Sequence, residues 1–176
     1  MADSKIATVD ENDRVIGAAS FERVYGEGLW HRIVRVLVFN TKGELLLQKR
    51  GPRVMAPDKW DQSVGGHVDA GEDYLDAVVR ETHEELGIVA APKDFQVVGN
   101  FAISRNESRG RARRFNRIYR LAYNGPIRFN PDEITEVCWI TPDKLREWIS
   151  SKPNDFTRDI PRVLDIYLAS VEKAAN

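Results

Sequence analysis

Runs of apolar residues that alternate with polar ones predict several β-strands along the chain. The clearest lies at residues 32–40, which are apolar at most positions. Residues 6–10 and 15–18 flank a polar Glu-Asn-Asp-Arg tetrapeptide, and this pattern predicts a small hairpin. A polar loop is predicted at residues 104–114. Further strands or short extended segments are predicted at residues 44–50, 62–68, 95–103, 115–123 and 137–140.

Apolar residues at helical spacing predict the helices. Residues 73–86 predict a helix that stops at Gly87. Residues 142–151 and 160–174 predict two more helices, and residues 21–25 predict a helical turn. Strands and helices are mixed without regular alternation. This order favours an α/β fold with a mixed β-sheet flanked by helices over a doubly wound parallel sheet.

The chain has the length of one domain. It contains 176 residues without an internal repeat or a Pro/Ser-rich linker. We therefore expect a single domain over residues 1–176. Within it, residues 1–30 would form an N-terminal hairpin extension, and residues 141–176 would form the C-terminal helices.

Composition excludes several function classes. Lys and Arg number 26 and Asp and Glu 27, so no global positive field attracts nucleic acid or an anionic membrane. No apolar run approaches the roughly 20 residues of a transmembrane helix, and residues 1–5 lack an apolar signal core. The single cysteine, Cys138, excludes an intrachain disulfide and favours a cytoplasmic location. With three His and one Cys, a metal site would rest on carboxylates, the ligands of Mg²⁺ or Mn²⁺.

Three carboxylates stand out on the predicted helix 73–86. Glu81, Glu84 and Glu85 fall together on one face, where they repel one another unless a cation lies among them. A hard divalent cation fits such a set, and a solvated acidic face is the alternative. A different face, suited to docking on the sheet, carries Leu75, Val78, Val79, Thr82 and Leu86.

Glycines precede this helix at useful places. Gly65 and Gly66 allow a close approach of the backbone, and Gly71 permits a sharp turn into the helix. Arg80 adjoins the carboxylates and can orient one of them. These flanks favour a functional site over a chance acidic face.

Residues 66–88, a stretch of 23 residues, resemble the motif of the Nudix family. The family motif is a glycine, five residues, a Glu, seven residues, then Arg-Glu-x-x-Glu-Glu-x-Gly and an aliphatic residue. Thr82 stands where the family usually has an aliphatic residue, and its methyl group can still pack. The fixed positions are met by Gly66, Glu72, Arg80, Glu81, Glu84, Glu85, Gly87 and Ile88.

The resemblance implies an α/β/α sandwich that hydrolyses a nucleoside diphosphate linked to another moiety. A divalent ion, Mg²⁺ or Mn²⁺, would neutralise the diphosphate and activate water. Its ligands would be Glu81, Glu84 and Glu85, with the carbonyl group of Gly65 or Gly66.

The resemblance also implies supporting roles. Arg80 would hold one of the Glu side chains in place, and Glu72 would support the loop before the helix. Which carboxylate acts as the general base stays open. The four candidates are Glu81, Glu85, Glu133 and Glu136.

A second resemblance is to the isopentenyl-diphosphate isomerases of the same superfamily. It rests on residues 9–11, 15–17, 29–32 and 43–50, and on Trp60-Asp61 and Gly66-His67. Isomerases of this type use a cysteine at the Gly-His segment, and none is present there. One expected metal-binding His falls on Val24. We therefore predict an isomerase-like scaffold that acts as a hydrolase, with isomerase-like activity or a non-catalytic nucleotide-binding domain as the rival readings.

Basic residues supply the candidates for substrate binding. The predicted loop 104–114 is either a mobile lid that meets the substrate phosphates or a solvated hairpin, which could pair with acidic surface in a homodimer. Few aromatic residues accompany its arginines, so we do not expect RNA binding. The expected partner is a small-molecule diphosphate. The candidates for binding it are Arg50, Arg53, His67, Arg105 and Arg114.

Overall fold

The computed structural model of the chain describes residues 5–175. The ends of the predicted extension and of the predicted C-terminal region, residues 1–4 and 176, lie outside the described residues, and with them most of the segment judged for a signal core. The strands are β1 (Ile6–Val9), β2 (Val15–Ala19), β3 (Trp30–Phe39), β4 (Leu45–Arg50), β5 (Trp60–Asp61), β6 (Val64–His67), β7 (Phe95–Glu107), β8 (Gly110–Ala122) and β9 (Ile134–Ile140). The α-helices are α1 (Phe21–Gly26), α2 (Tyr74–Leu86), α3 (Pro142–Ser151) and α4 (Ile160–Ala175).

Strand β3 is the centre of a mixed sheet. It runs parallel to β8 along its whole length and antiparallel to β6, β1 and β4. Strand β4 pairs with β9 and β5, while β7 and β8 form a long antiparallel hairpin. The predicted α/β fold with a mixed sheet flanked by helices is confirmed.

Helices cover both faces of this sheet because β3 and β4 are apolar on both sides. Leu37 and Leu47 belong to a core that includes residues of α1, α3 and α4. Val36 and Leu46 belong to the opposite core, which includes the apolar side of α2. Each such side chain, fully buried, stabilises the fold by about 1.5–3 kcal/mol. Within residues 5–175, no helix is both long and apolar enough to cross a membrane.

The predicted loop at 104–114 is wrong in extent. Strand β7 continues to Glu107 and β8 begins at Gly110, so the turn consists of Ser108 and Arg109. The arginines hid the strand pattern, since Ala112 and Arg114 alternate inward as in any strand and both are buried. Ion pairs described below compensate the charge of Arg114. The segment is thus part of a paired hairpin.

Candidate active site

The glycine-rich strand β6 lies directly against helix α2. A Cβ atom at Gly66 would overlap the carboxylate of Glu81, so only glycine admits this approach. Gly71 has φ of +90°, which makes the sharp turn between β6 and α2. Helix α2 begins at a capping box of Asp73 and Asp76. It ends, as predicted, at Gly87 in the left-handed conformation.

Arg80 organises the carboxylates of this region. Its Nε and Nη2 atoms donate to the two Glu72 oxygens at 2.7 and 2.9 Å. Its Nη1 atom donates to Glu81 at 2.8 Å and to Glu84 at 3.1 Å. The carbonyl of His67 accepts a further bond from Nη2 at 3.0 Å. Glu72 in turn accepts from the backbone N–H of Asp69 at 3.0 Å, which ties the loop to the arginine.

Glu85 is the most buried of the three predicted carboxylates of α2, and Glu84 is about half exposed. Its side chain accepts from Gln48 Nε2 at 2.8 Å and from the backbone N–H of Gly65 at 3.3 Å. These hydrogen bonds satisfy the buried carboxylate, so a charged residue can occupy this buried position of α2. Leu75, predicted to face the sheet, is 39% exposed. The buried positions are Tyr74, Ala77, Val78, Thr82, Glu85 and Leu86.

Glu81 and Glu85 border a cavity of about 300 Å³, here named the acidic cavity, together with Glu133, Gln48, Gly65 and Gly66. Burial raises the pKa of the Glu81 carboxyl to about 7, against the opposing effect of Arg80. Burial, and then the charge of Glu81, raises the pKa of Glu85 well above its usual value. Burial also raises the pKa of Glu133, followed by the charge of Glu84.

Other predicted site residues lie at different distances from this cavity. Glu84 is about half exposed on the outer side of Arg80. Glu136 is exposed on β9, opposite Lys49, and does not line the acidic cavity. Arg50 and Arg53 both border the acidic cavity. Arg53 is mostly exposed and pairs with Asp132 at 3.2 Å.

A second cavity of about 350 Å³ adjoins the acidic cavity and contains the predicted residues Arg105 and Arg114. We name it the arginine cavity. The two cavities share Arg50, Met55, Gly65, Gly66 and His67, so strand β6 forms a common wall. The lining of the arginine cavity includes Arg35, Arg50, Arg105, Arg114, Arg158, Asp61, Glu107 and Asp159.

His67 lies between the two cavities within a buried aromatic group. Its Nε2 atom is 3.1 Å from the hydroxyl of Tyr25, and its ring stacks on that of His31. Burial lowers the pKa of His67 to about 3 and that of His31 to about 4, so both rings are neutral at pH 7. Helix α1 therefore contributes Tyr25 to the site, which the sequence analysis did not find.

The charged residues beneath the arginine cavity were also not predicted from the sequence. One signal was available, because Arg35 interrupts the most apolar strand of the chain and is only 5% exposed. A charged group at such a position needs a buried partner. Asp159, 124 residues away, is that partner at 2.8 Å, and no local pattern announces it.

The donor set of the acidic cavity fits a hard divalent cation. It offers carboxylate and backbone carbonyl oxygens, the ligands that Mg²⁺ and Mn²⁺ prefer. The charge of Glu133 raises the pKa of Glu81 and of Glu85, and a cation relieves that repulsion. Across residues 5–175, no three His, Cys, Asp or Glu side chains are grouped tightly enough to form a ready metal cluster. Arg80, Gln48 and the Gly65 N–H bind the carboxylates instead.

Comparison with known proteins decides the family. The model of the NUDIX domain matches residues 29–160, most of the chain. The chain belongs to the Nudix family. The match begins after α1, so Phe21 and Tyr25 reach the site from outside the matched segment.

Named relatives agree with this assignment. The chain is 32% identical over 161 residues to an uncharacterized Nudix hydrolase of Yersinia pestis, covering 91% of this chain and 83% of that protein. It is 34% identical over 164 residues to an uncharacterized Nudix hydrolase of Pseudomonas aeruginosa, covering 93% and 92%. The chain is thus an enzyme of the Nudix pyrophosphohydrolase type, which acts on acid anhydrides.

Solved structures confirm the fold. DR0079 from Deinococcus radiodurans has a TM-score of 0.75 at 25% identity, covering 92% of this chain and 97% of that chain. The Nudix domain of Shewanella oneidensis NrtR, solved with ADP ribose, has a TM-score of 0.61 at 13% identity, covering 84% and 89%. Nudix hydrolases generally use divalent metal ions. The isomerase-like branch stays a prediction.

Proposed function

We propose that this Nudix hydrolase cleaves a phosphoanhydride bond in a nucleoside-diphosphate-linked or related small diphosphate substrate, with Mg²⁺ or Mn²⁺ in the acidic cavity. The observation that carries the proposal is the convergence of Glu81, Glu85 and Glu133 on one cavity beside a glycine strand. Carboxyl groups with raised pKa values in a cleft are typical of functional sites.

We assign the metal to Glu81, Glu84 and Glu85, with a backbone carbonyl of Gly65 or Gly66. Arg80 supports this set because its Nη1 atom bonds both Glu81 and Glu84 and so holds them side by side. A bound divalent ion supplies charge neutralisation for the diphosphate and activation of the attacking water.

The protein's own groups bind the substrate and move the proton. Glu133 borders the cavity and its side chain is bonded by Asn130 at 3.1 Å, which favours it as general base over the exposed Glu136. Arg50 and Arg53 lie where they can bind phosphate oxygens and orient the diphosphate. Glu72 holds Arg80 in place from the opposite side.

The arginine cavity argues against a prenyl substrate. A prenyl chain in this cavity would lie against the ion pair of Arg35 and Asp159 and strip it of polar neighbours, which is costly. No cysteine lies at the Gly66-His67 segment, where an isomerase would need one. ADP ribose, the ligand of the NrtR domain, is by contrast a nucleoside diphosphate linked to a sugar.

The test is product-resolved turnover. Purified protein is incubated with Mg²⁺ or Mn²⁺ and a panel of nucleoside triphosphates, sugar nucleotides, dinucleotides, coenzyme A derivatives and isopentenyl diphosphate. We expect release of a phosphorylated product from at least one anhydride class, abolished by EDTA. Turnover that EDTA leaves unchanged, isomerised isopentenyl diphosphate, or ligand binding without turnover on the whole panel contradicts the proposal.

Three further expectations belong to the same proposal. We propose that the N-terminal hairpin and the C-terminal helices form one catalytic unit with the matched segment, because α1 and the residues before α4 both line the site. A reducing, cytoplasmic location agrees with the free Cys138. The third expectation is a homodimer, which sedimentation of the purified protein tests.

A further inference from the structure

The arginine cavity has more positive than negative charge. Five arginines and three carboxylates line it, a formal excess of two positive charges. The acidic cavity is lined by three carboxylates and three arginines and lacks this excess. A molecule that spans β6 would therefore meet a net positive lining at one end only.

Buried ion pairs hold the arginine groups in fixed positions. Asp159 binds Arg35 at 2.8 Å, Arg105 at 2.6 Å and Arg114 at 3.4 Å. Glu107 binds Arg105 at 2.8 Å and Arg114 at 2.6 Å. Three guanidinium groups thus share two carboxylates, and one positive charge in this cluster stays uncompensated.

This excess is notable because the groups are removed from solvent. Arg35 is 5% and Arg114 is 8% exposed. The Nε atom of Arg114 is buried and has no hydrogen-bond partner among residues 5–175. A buried, partly unpaired guanidinium is costly unless an anion completes its surroundings. At the rim, Arg158 is exposed and forms no ion pair with the described residues, so its charge is available to a ligand.

We propose that the arginine cavity binds a second anionic group of the substrate, a phosphate monoester carried beyond the diphosphate bridge. The inference rests on the proposed function, since it places the diphosphate in the acidic cavity. The shared wall of Gly65, Gly66 and His67 lets one molecule occupy both cavities. Planar guanidinium groups are suited to phosphate oxygens. The preferred substrates are therefore diphosphates that bear an additional phosphate.

The first experiment measures anion binding without catalysis. Inorganic phosphate is titrated calorimetrically into metal-free protein in EDTA, so that no metal-bound phosphate in the acidic cavity contributes to the signal. We expect binding to the wild type and about fivefold weaker binding to Arg158→Gln, the size of one exposed ionic contact. Arg146→Gln, on the exposed side of α3, serves as the matched control and should bind like the wild type. Absence of phosphate binding, or equal affinity of wild type and Arg158→Gln, overturns the inference.

The second experiment compares two ligands that differ by one phosphate. NADPH and NADH are titrated under the same metal-free conditions. NADPH should bind at least about fivefold tighter than NADH, and Arg158→Gln should reduce this ratio. Equal affinities overturn the inference even where phosphate alone binds. Either negative result leaves the proposed hydrolase intact, because EDTA-sensitive turnover on the panel is measured separately.

Discussion

The two cavities on either side of strand β6 were built in different ways. The acidic cavity takes Gly65, Gly66, His67 and two of its three carboxylates, Glu81 and Glu85, from one stretch, β6 and α2, whose spacing appears in the sequence. The arginine cavity takes Arg35 from β3, Arg105 and Arg114 from the β7–β8 hairpin, and Asp159 from the residue before α4. A site made by local spacing can be predicted, whereas a site made by tertiary contacts between distant segments becomes visible only in the fold.

The largest expected effect is on the acidic cavity. Glu85→Gln keeps the size of the side chain but removes the charge that a divalent ion needs. We expect kcat/KM to fall about a thousandfold, in line with the loss of one strong electrostatic contact in a catalytic site. Steady-state turnover with Mg²⁺ checks this.

Glu147→Gln on the exposed side of α3 is the control and should keep wild-type activity. Circular dichroism should show that both variants are folded. Full activity of Glu85→Gln would remove Glu85 from the proposed metal site.

The next effect tests whether the buried ions of the arginine cavity stabilise the fold. Arg35 donates to Asn116 at 3.0 Å, to Gln62 at 2.9 Å and to Asp159 at 2.8 Å. Arg35→Met leaves the buried side-chain oxygens of Asn116 and Gln62 without this donor and Asp159 with only Arg105 and Arg114, and the free energy of unfolding should drop by about 3 kcal/mol. Urea unfolding measures the change, with Arg146→Met as the control. A variant as stable as the wild type would show that the network contributes nothing to folding.

A smaller effect tests the contact between the glycine strand and helix α2. In Gly66→Ala the new Cβ displaces the Glu81 carboxylate, so kcat/KM should fall about tenfold through misplacement of one ligand. Gly17→Ala is the matched control, because its Cβ would meet only the Thr8 hydroxyl at 3.4 Å. Equal activity of the two alanine variants would contradict the close packing of Gly66 against Glu81.

The smallest effect is a pH dependence of stability in the metal-free protein. Burial raises the pKa of Glu81 to about 7 and that of Glu85 well above 4.5. The folded protein therefore holds protons that the unfolded chain releases, and stability should decrease as pH rises from about 4.5 through 7. Removing one of these carboxyl groups, in Glu85→Gln, should change the free energy of unfolding at high pH by on the order of 1 kcal/mol.

Urea unfolding between pH 5 and pH 8 in EDTA measures this slope. Glu85→Gln should show a flatter profile and, at pH 8, a higher stability than the wild type. The same residue would then be unfavourable for folding and required for catalysis. A steeper profile in the variant than in the wild type would reverse the assigned sign.

Local spacing explains which parts of the fold and site could be predicted. The helix that ends at Gly87 and the Arg80–Glu72 contact follow from residues close in sequence. The burial of Glu85 was less predictable, since it depends on hydrogen bonds that Gln48 Nε2 and the Gly65 N–H donate to its carboxylate.

The arginines of β7 and β8 led to a wrong prediction, the polar loop at residues 104–114. Their charge suggested a solvated loop, but Arg105 and Arg114 form ion pairs with the distant Asp159 and with Glu107, and the strands continue. Tyr25 was missed for the same reason, because its partner His67 is 42 residues away. Partners at such separation leave no periodic signal along the chain.

The central claim is that the acidic cavity binds a divalent ion through Glu85 and its neighbours. Its most direct test is a calorimetric titration of Mn²⁺ into metal-free wild type and Glu85→Gln. We predict saturable Mn²⁺ binding to the wild type and a loss of at least about tenfold in affinity in the variant. Equal Mn²⁺ affinity of the two proteins would contradict it.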